Sequence, residues 1–242
     1  MIFSEPISLA AEAGGTSVRN SRKKFTPMIF TNRPIKLQDC HQHGENAELF
    51  LVEGDSAASA VSSLRNQQIQ AVLPMQGKPL NTIKAGAEKL AENALFSALI
   101  ASIGAGVGEH FDIKKCRYGR ILLLMDPDAD GIHCGALMLM FFYRWMPALL
   151  EKSMVELVRP PVGEVLDTET GELHHAYTET QFLAMCAQLK NAHQHKIITQ
   201  KYRGLAGIGP QQLERICIHP QTRKTNVMRL KDAQMAMEVF GR

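Results

Sequence analysis

The sequence has few cysteines, and they form no recognisable pattern. The five cysteines, at positions 40, 116, 134, 186 and 217, include no C-x-x-C pair and do not make an even set. We therefore expect reduced thiols in a cytoplasmic protein and no disulfide framework. Long apolar runs are also missing: none approaches the ~18 residues of a membrane helix. The amino terminus lacks the basic segment of a secretory signal, so we expect no membrane association.

Charge is distributed unevenly along the chain. Residues 196–242 hold nine lysines and arginines against three acidic residues, whereas residues 48–195 hold seventeen acidic residues against twelve basic ones. This distribution suits a protein whose basic tail binds a polyanion and whose acidic, metal-binding body cuts it. An ordinary solvated basic surface explains the tail equally well.

The most informative stretch is residues 120–134, RILLLMDPDADGIHC. Its apolar run is typical of a strand buried on both faces, and three acids follow at alternate positions: Asp126, Asp128 and Asp130. The carboxyl ends of strands are where open α/β sheets bind ligands. Three neighbouring carboxylates repel one another, and Mg²⁺ relieves that repulsion because it binds oxygen ligands. The stretch therefore predicts a metal site, with a helix in the apolar run 135–150.

The D-x-D-x-D-G pattern also resembles an EF-hand calcium loop. Such a loop needs a glutamate at its twelfth position and a helix before it, but position twelve is Leu137 and the preceding segment resembles a strand. We reject the EF-hand. A solvated acidic turn remains the alternative to a metal site.

A second strand ends on an acid in ELFLVEGDSAASAVSSLR, residues 48–65. The apolar run 49–52 ends at Glu53, and Asp55 or Ser56 is expected to cap the helix that follows. If this strand is a neighbour of the strand that precedes Asp126, the two acids meet at one edge of the sheet.

The rest of the acidic body continues the same alternation. A third strand is predicted at residues 70–73, then a turn in which Lys78 and Asn81 stand free, then a helix over residues 82–103. A strand–helix alternation of this kind predicts an α/β fold, with a parallel sheet flanked by helices.

These motifs together resemble a known family, the Toprim domain of type IIA DNA topoisomerases, which is found in the B subunits of DNA gyrase and topoisomerase IV. The resemblance covers most of residues 36–242. The segments that carry it are KLQDC at 36–40, EGDSA at 53–57, LPMQGKPLN at 73–81, DPDADG at 126–131, FFYRWMP at 141–147, RPP at 159–161, KYRGLAGIGPQQL at 201–213 and HPQTRK at 219–224.

The resemblance implies a Rossmann-like Toprim fold and a division of the chain into four parts. Residues 1–46 would be an irregular lead-in, residues 47–163 the Toprim domain, residues 164–196 a divergent insert without a clear family counterpart, and residues 197–242 a short basic, helix-rich tail.

The resemblance also implies roles for the acids. Glu53, Asp126 and Asp128 would bind Mg²⁺, and Asp130 would be a weaker ligand or would orient the others. Glu53 and Asp126 would be the catalytic pair, with Glu53 passing a proton to the leaving 3′ oxygen. His133 matches a family histidine, and it could equally cap the helix.

Binding partners follow from the same resemblance. Lys78 and Asn81 match positions that contact double-stranded DNA in the family. If four basic residues of the tail also meet DNA phosphates, duplex binding should depend on salt; these residues are Lys201, Arg203, Arg223 and Lys224. A gyrase A-like subunit would supply the tyrosine that attacks DNA.

Several features depart from the family. Ala58 replaces a glycine, Gln76 a basic residue and Gly207 an acid, while Pro127 stiffens the loop between two of the proposed ligands. No segment resembles the ATPase domain of a gyrase B protein, and none of the tyrosines 118, 143, 177 and 202 lies in a segment like the nucleophile region. We expect the chain alone neither to hydrolyse ATP nor to cleave DNA, and an ATPase-bearing chain is a further expected partner.

Three functions therefore compete. The first is the Mg²⁺-binding core of a type II topoisomerase, and the second is a non-catalytic paralogue that binds DNA or the gyrase A-like partner as a regulator. The third is a free-standing Toprim nuclease or primase-like enzyme. The retained acids favour the first over the second, and the gyrase-type tail argues against the third.

Overall fold

The structure is a computed structural model that describes residues 36–193 and 197–241. The strands in these residues are β1 (Gly44–Glu53), β2 (Gln70–Met75), β3 (Tyr118–Leu124), β4 (Val155–Val158), β5 (Gly163–Asp167), β6 (Leu173–Ala176), β7 (Ile197–Lys201) and β8 (Thr225–Val227). The α-helices are α1 (Gly54–Leu64), α2 (Ala87–Glu92), α3 (Ala94–Ile103), α4 (Ala129–Trp145), α5 (Pro147–Glu151), α6 (Glu179–His193), α7 (Pro210–Leu213) and α8 (Leu230–Phe240). None of the described helices combines the length and hydrophobicity that crossing a bilayer requires.

A five-stranded sheet organises the chain, in the order β2-β1-β3-β4-β8. The first four strands run parallel, and β8 is antiparallel to β4. The side chains of residues 49–52 are fully buried, because helices or the tail cover both faces of the sheet. The predicted α/β fold with a parallel sheet flanked by helices is confirmed.

The two faces of β1 belong to different core layers. Leu49 and Leu51 pack with α3 and α4, where the rings of Phe96 and Phe141 stack at 4.6 Å between centroids. On the opposite face, Phe50 packs with α1 and with tail residues of the π-helical segment Glu214–Ile218. The basic tail therefore supplies one layer of the core.

A second sheet lies between β4 and the tail. Its strands are antiparallel in the order β6-β5-β7, and Phe182 of α6 packs on its Val165. We call β5, β6 and β7 the inserted sheet. Its strands β5 and β6 lie at the start of the predicted insert, and it also takes in β7 from the predicted tail. The four boundaries remain predictions, and residues 1–35 of the predicted lead-in lie outside the described residues.

Two predicted helices differ from the observed ones. The segment 82–103 was expected to form one helix, but it contains α2 and α3, which are separated at Asn93. The Asn93 side chain accepts a hydrogen bond from the Phe96 main-chain N–H at 3.2 Å and so begins a new helix. The helix expected over 135–150 begins earlier, at Ala129, and Pro147 starts the separate helix α5.

The expected cap of α1 was also wrong. The helix begins at Gly54, directly after the strand, because the main chain turns there with φ of +70°, which glycine adopts readily. Asp55 instead pairs with Lys36 at 2.7 Å.

Candidate metal centre

The sheet brings the predicted acids to one edge. Glu53 is the last residue of β1, and Asp126 follows the adjacent parallel strand β3 by two residues. Asp128 is the N-cap of α4, and Asp130 lies in the first turn of that helix. We call these four residues the acidic edge.

Within the acidic edge, Glu53 has a strongly raised pKa. Its Oε1 atom is buried and has no hydrogen-bond partner in the described part of the chain. Burial, followed by the charges of Asp126 and Asp128, raises the pKa of Glu53 to about 7, although a hydrogen bond from the Asp126 main chain to the carboxyl group opposes the rise. The Glu53 Oε1 atom is therefore buried close to other acids and accepts no hydrogen bond from the described residues. A bound cation would supply the positive charge that this position lacks.

The three aspartates have different partners. Asp126 Oδ1 accepts a hydrogen bond from the Leu205 N–H at 2.9 Å, and Asp128 Oδ1 accepts one from the Gly131 N–H at 2.8 Å. Asp130 is exposed and forms an ion pair with Lys78 at 2.9 Å, which lowers the Asp130 pKa.

The residues fit a hard divalent cation. Glu53, Asp126 and Asp128 each have a carboxylate oxygen outside the hydrogen bonds just described, and Mg²⁺ binds such oxygens. Asp130 is directed towards Lys78, which suits the orienting role better than that of a ligand. The assignment of Glu53, Asp126, Asp128 and Asp130 to a metal remains a prediction.

Among the described residues, a group other than the acidic edge brings three potential ligand atoms within 4.8 Å of one another. It consists of Asp39, Cys40 and His43. Burial raises the Asp39 pKa, but hydrogen bonds from Tyr118, His43 and Arg117 outweigh it and lower the pKa to about 2. Burial also raises the pKa of the Cys40 thiol, which opposes the thiolate form that metals prefer. The cluster therefore fits an ion-pair network that joins the start of the described chain to β3.

The predicted DNA-binding residues occupy different environments. Lys78 is exposed beside the acidic edge. Asn81 donates to the Phe240 carbonyl at 3.2 Å and accepts from the Ile83 N–H at 3.1 Å, so it anchors the end of α8. Both DNA roles remain predictions. The His133 ring stacks on Phe240, with 4.9 Å between centroids, and Asp128 caps the helix instead.

Sequence reasoning missed one contact of the acidic edge. The main chain at Gly204 and Leu205 lies against Asp126, although these residues are 78 and 79 positions away along the chain. The Gly-Leu pair stands in a segment that carries the family resemblance, but nothing in its local pattern points to an acid on another strand.

The raised pKa of Glu53 leads to a testable pH dependence in metal-free protein. The folded state holds a proton on Glu53 up to about pH 7, whereas the unfolded state loses it near pH 4.5. Stability therefore falls as pH rises through this window. Glu53→Gln should stabilise the protein at pH 8 by about 1–2 kcal/mol, allowing for the partial exposure of the side chain. At pH 4.5 it should have little effect.

Urea unfolding in EDTA at both pH values measures this difference. Glu45→Gln, at the opposite end of β1 and exposed, is the matched control. An equal effect of Glu53→Gln at pH 4.5 and pH 8 would contradict the assignment.

The chain is similar to known proteins over most of its length. Residues 48–160 match the Toprim domain family. The chain is 38% identical over 211 residues to the DNA gyrase B protein of Thermotoga maritima, covering 87% of this chain and 32% of the relative. It is 36% identical over 214 residues to the gyrase B protein of Archaeoglobus fulgidus, covering 88% and 33%. For the gyrase B protein of Thermus thermophilus the identity is 34% over 236 residues, covering 95% and 36%.

The chain spans about a third of the length of these relatives. Residues 48–160 therefore match a Toprim domain, and over most of its length the chain is similar to DNA gyrase B proteins.

Proposed function

We propose that this chain supplies the Mg²⁺-binding part of a type II DNA topoisomerase and acts with a gyrase A-like subunit that carries the nucleophilic tyrosine. The observation that carries the proposal is the buried Glu53 oxygen without a hydrogen-bond donor in the described residues, beside Asp126 and Asp128 at the end of two parallel strands. The Toprim match and the similarity to gyrase B proteins support the same assignment.

The four acids of the acidic edge would have different roles. Glu53, Asp126 and Asp128 would hold Mg²⁺, which when bound supplies positive charge to the phosphate and the leaving oxygen. Glu53 would also donate a proton to the 3′ oxygen on cleavage and take it back on religation. Asp130 would keep Lys78 at the mouth of the site.

A Mg²⁺ titration of Asp126→Asn tests the metal assignment. The substitution keeps Oδ1 as an acceptor for the Leu205 N–H but removes the charge, so the protein should stay folded while Mg²⁺ binds at least about tenfold more weakly. Calorimetry measures the affinity.

Asp55→Asn is the matched control, because Asp55 is an exposed acid two residues from Glu53 that lies outside the proposed ligands. Equal Mg²⁺ affinity in Asp126→Asn and the parent would remove Asp126 from the metal site.

The described structure changes the expected DNA surface. Arg223 is buried and paired with Glu48, so it cannot reach a phosphate and is withdrawn from the predicted set. Lys201 pairs with Glu179 at the surface, and Lys224 lies near the Tyr177 ring. Lys78 lies beside the acidic edge, where the scissile phosphate would sit.

Duplex binding should therefore depend on salt, and Lys78 should contribute one phosphate contact. Lys78→Ala should reduce the slope of log affinity against log salt concentration by roughly 0.9. Fluorescence anisotropy of a labelled duplex over a KCl series measures the slope.

Lys152→Ala is the control, because Lys152 is exposed just before β4, at the opposite edge of the parallel sheet. Equal slopes for Lys78→Ala and the parent would exclude Lys78 from the DNA contacts.

A further inference from the structure

The tail loop, residues 203–207, runs across the acidic edge. It follows β7, the last strand of the inserted sheet, and brings the Leu205 main-chain N–H to 2.9 Å from Asp126 Oδ1. A main-chain donor therefore occupies one oxygen of a carboxylate that we assign to the metal.

Glycine is required for this approach. Gly204 has φ of +83° and ψ of 175°, a region that only glycine adopts readily. A Cβ atom at Gly204 would lie 2.7 Å from Asp126 Oδ2 and 3.1 Å from its Cγ. A larger residue would have to displace either the loop or the carboxylate.

Contacts outside the acidic edge fix the position of the tail loop. The Leu205 side chain is 1% exposed and packs in the core with Phe50 and Val52. The Tyr202 N–H donates to the Val162 carbonyl at 3.0 Å, which ties the loop to the start of the inserted sheet. The core and the inserted sheet together therefore determine where the Leu205 N–H points.

We propose that Gly204 and Leu205 are positioning residues, which orient the Asp126 carboxylate for a divalent cation and so couple metal affinity to the docking of the inserted sheet. The Leu205 N–H holds Oδ1, and the missing side chain at Gly204 leaves Oδ2 free to bind. The inference rests on the proposed function, since it needs a cation at the acidic edge. The coupling is reciprocal, so cation binding also steadies the loop.

Substitution of the two loop glycines tests the positioning role. Gly204→Ala should weaken divalent cation binding by about 10–100-fold, as loss of an orienting contact does elsewhere. Gly207→Ala should leave the affinity unchanged, because nothing lies within 4 Å of a Cβ atom there. Electron paramagnetic resonance of free Mn²⁺ measures the affinity, with Mg²⁺ as competitor, and circular dichroism checks folding.

Hydrogen exchange of the Leu205 amide in the parent protein is a second readout that needs no variant. Mg²⁺ should slow this exchange if the loop and the cation share Asp126. Unchanged exchange, or equal affinities of the parent and folded Gly204→Ala, would overturn the inference while leaving the proposed function intact. Failure of the parent to bind either cation would overturn the proposed function and the inference with it.

Discussion

Glu53→Gln will reduce covalent DNA cleavage by the complex of this chain with a gyrase A-like subunit by about 10²–10⁴-fold, the range for loss of a general acid. Glu53 is expected both to help hold the cation and to carry the proton for the leaving oxygen, the two roles that the proposed function gives it. Glutamine fills the same space but supplies neither the charge nor the proton. DNA binding should be largely retained, since Lys78 is untouched.

The measurement is the covalent adduct between DNA and the A-type partner on a denaturing gel, in the presence of Mg²⁺. Glu45→Gln on the same strand is the control and should cleave like the parent. Equal cleavage by Glu53→Gln and the parent would exclude Glu53 from the chemistry. A parent complex that forms without any adduct would favour the non-catalytic, regulatory function.

Arg223→Ala should destabilise the protein by about 3–5 kcal/mol, because it removes the buried cation of the pair and leaves Glu48 only the half-exposed Arg120, 3.6 Å away. Arg223 Nη1 donates to Glu48 Oε2 at 2.7 Å and to the Ile218 carbonyl at 3.0 Å, and both charged residues are buried. Gln70 Nε2 also donates to Glu48 Oε2, at 2.8 Å. The pair joins the tail to β1.

Urea unfolding at pH 7 measures the loss. Lys224→Ala, next along the chain but exposed, should change stability little. Replacing Glu48 and Arg223 together with leucine should recover much of the loss, because no uncompensated charge then remains in the core. A loss below about 1 kcal/mol in Arg223→Ala would place the pair in contact with water.

Local pattern was enough to predict the parallel sheet. The apolar run at 49–52 lies within β1, and the run at 121–125 covers the second half of β3 and the residue after it, because strands buried on both faces need uninterrupted apolar side chains. Hydrogen bonds between polar side chains and the nearby main chain were harder to predict. The spacing of apolar residues over 82–103 predicted one helix, yet the Asn93 side chain competes for a main-chain N–H and divides it.

The sequence by itself determined the α/β fold and the presence of acids at two strand ends, since both follow from the residues of single elements. The tertiary structure alone decided what surrounds those acids. Glu48 and Arg223 are 175 positions apart, and Asp126 and Leu205 are 79 apart. Such contacts arise because the sheet and its covering layers bring distant segments together. Periodicity describes only which face of an element is buried, so it cannot show which arginine loses contact with water or which glycine lies against a carboxylate.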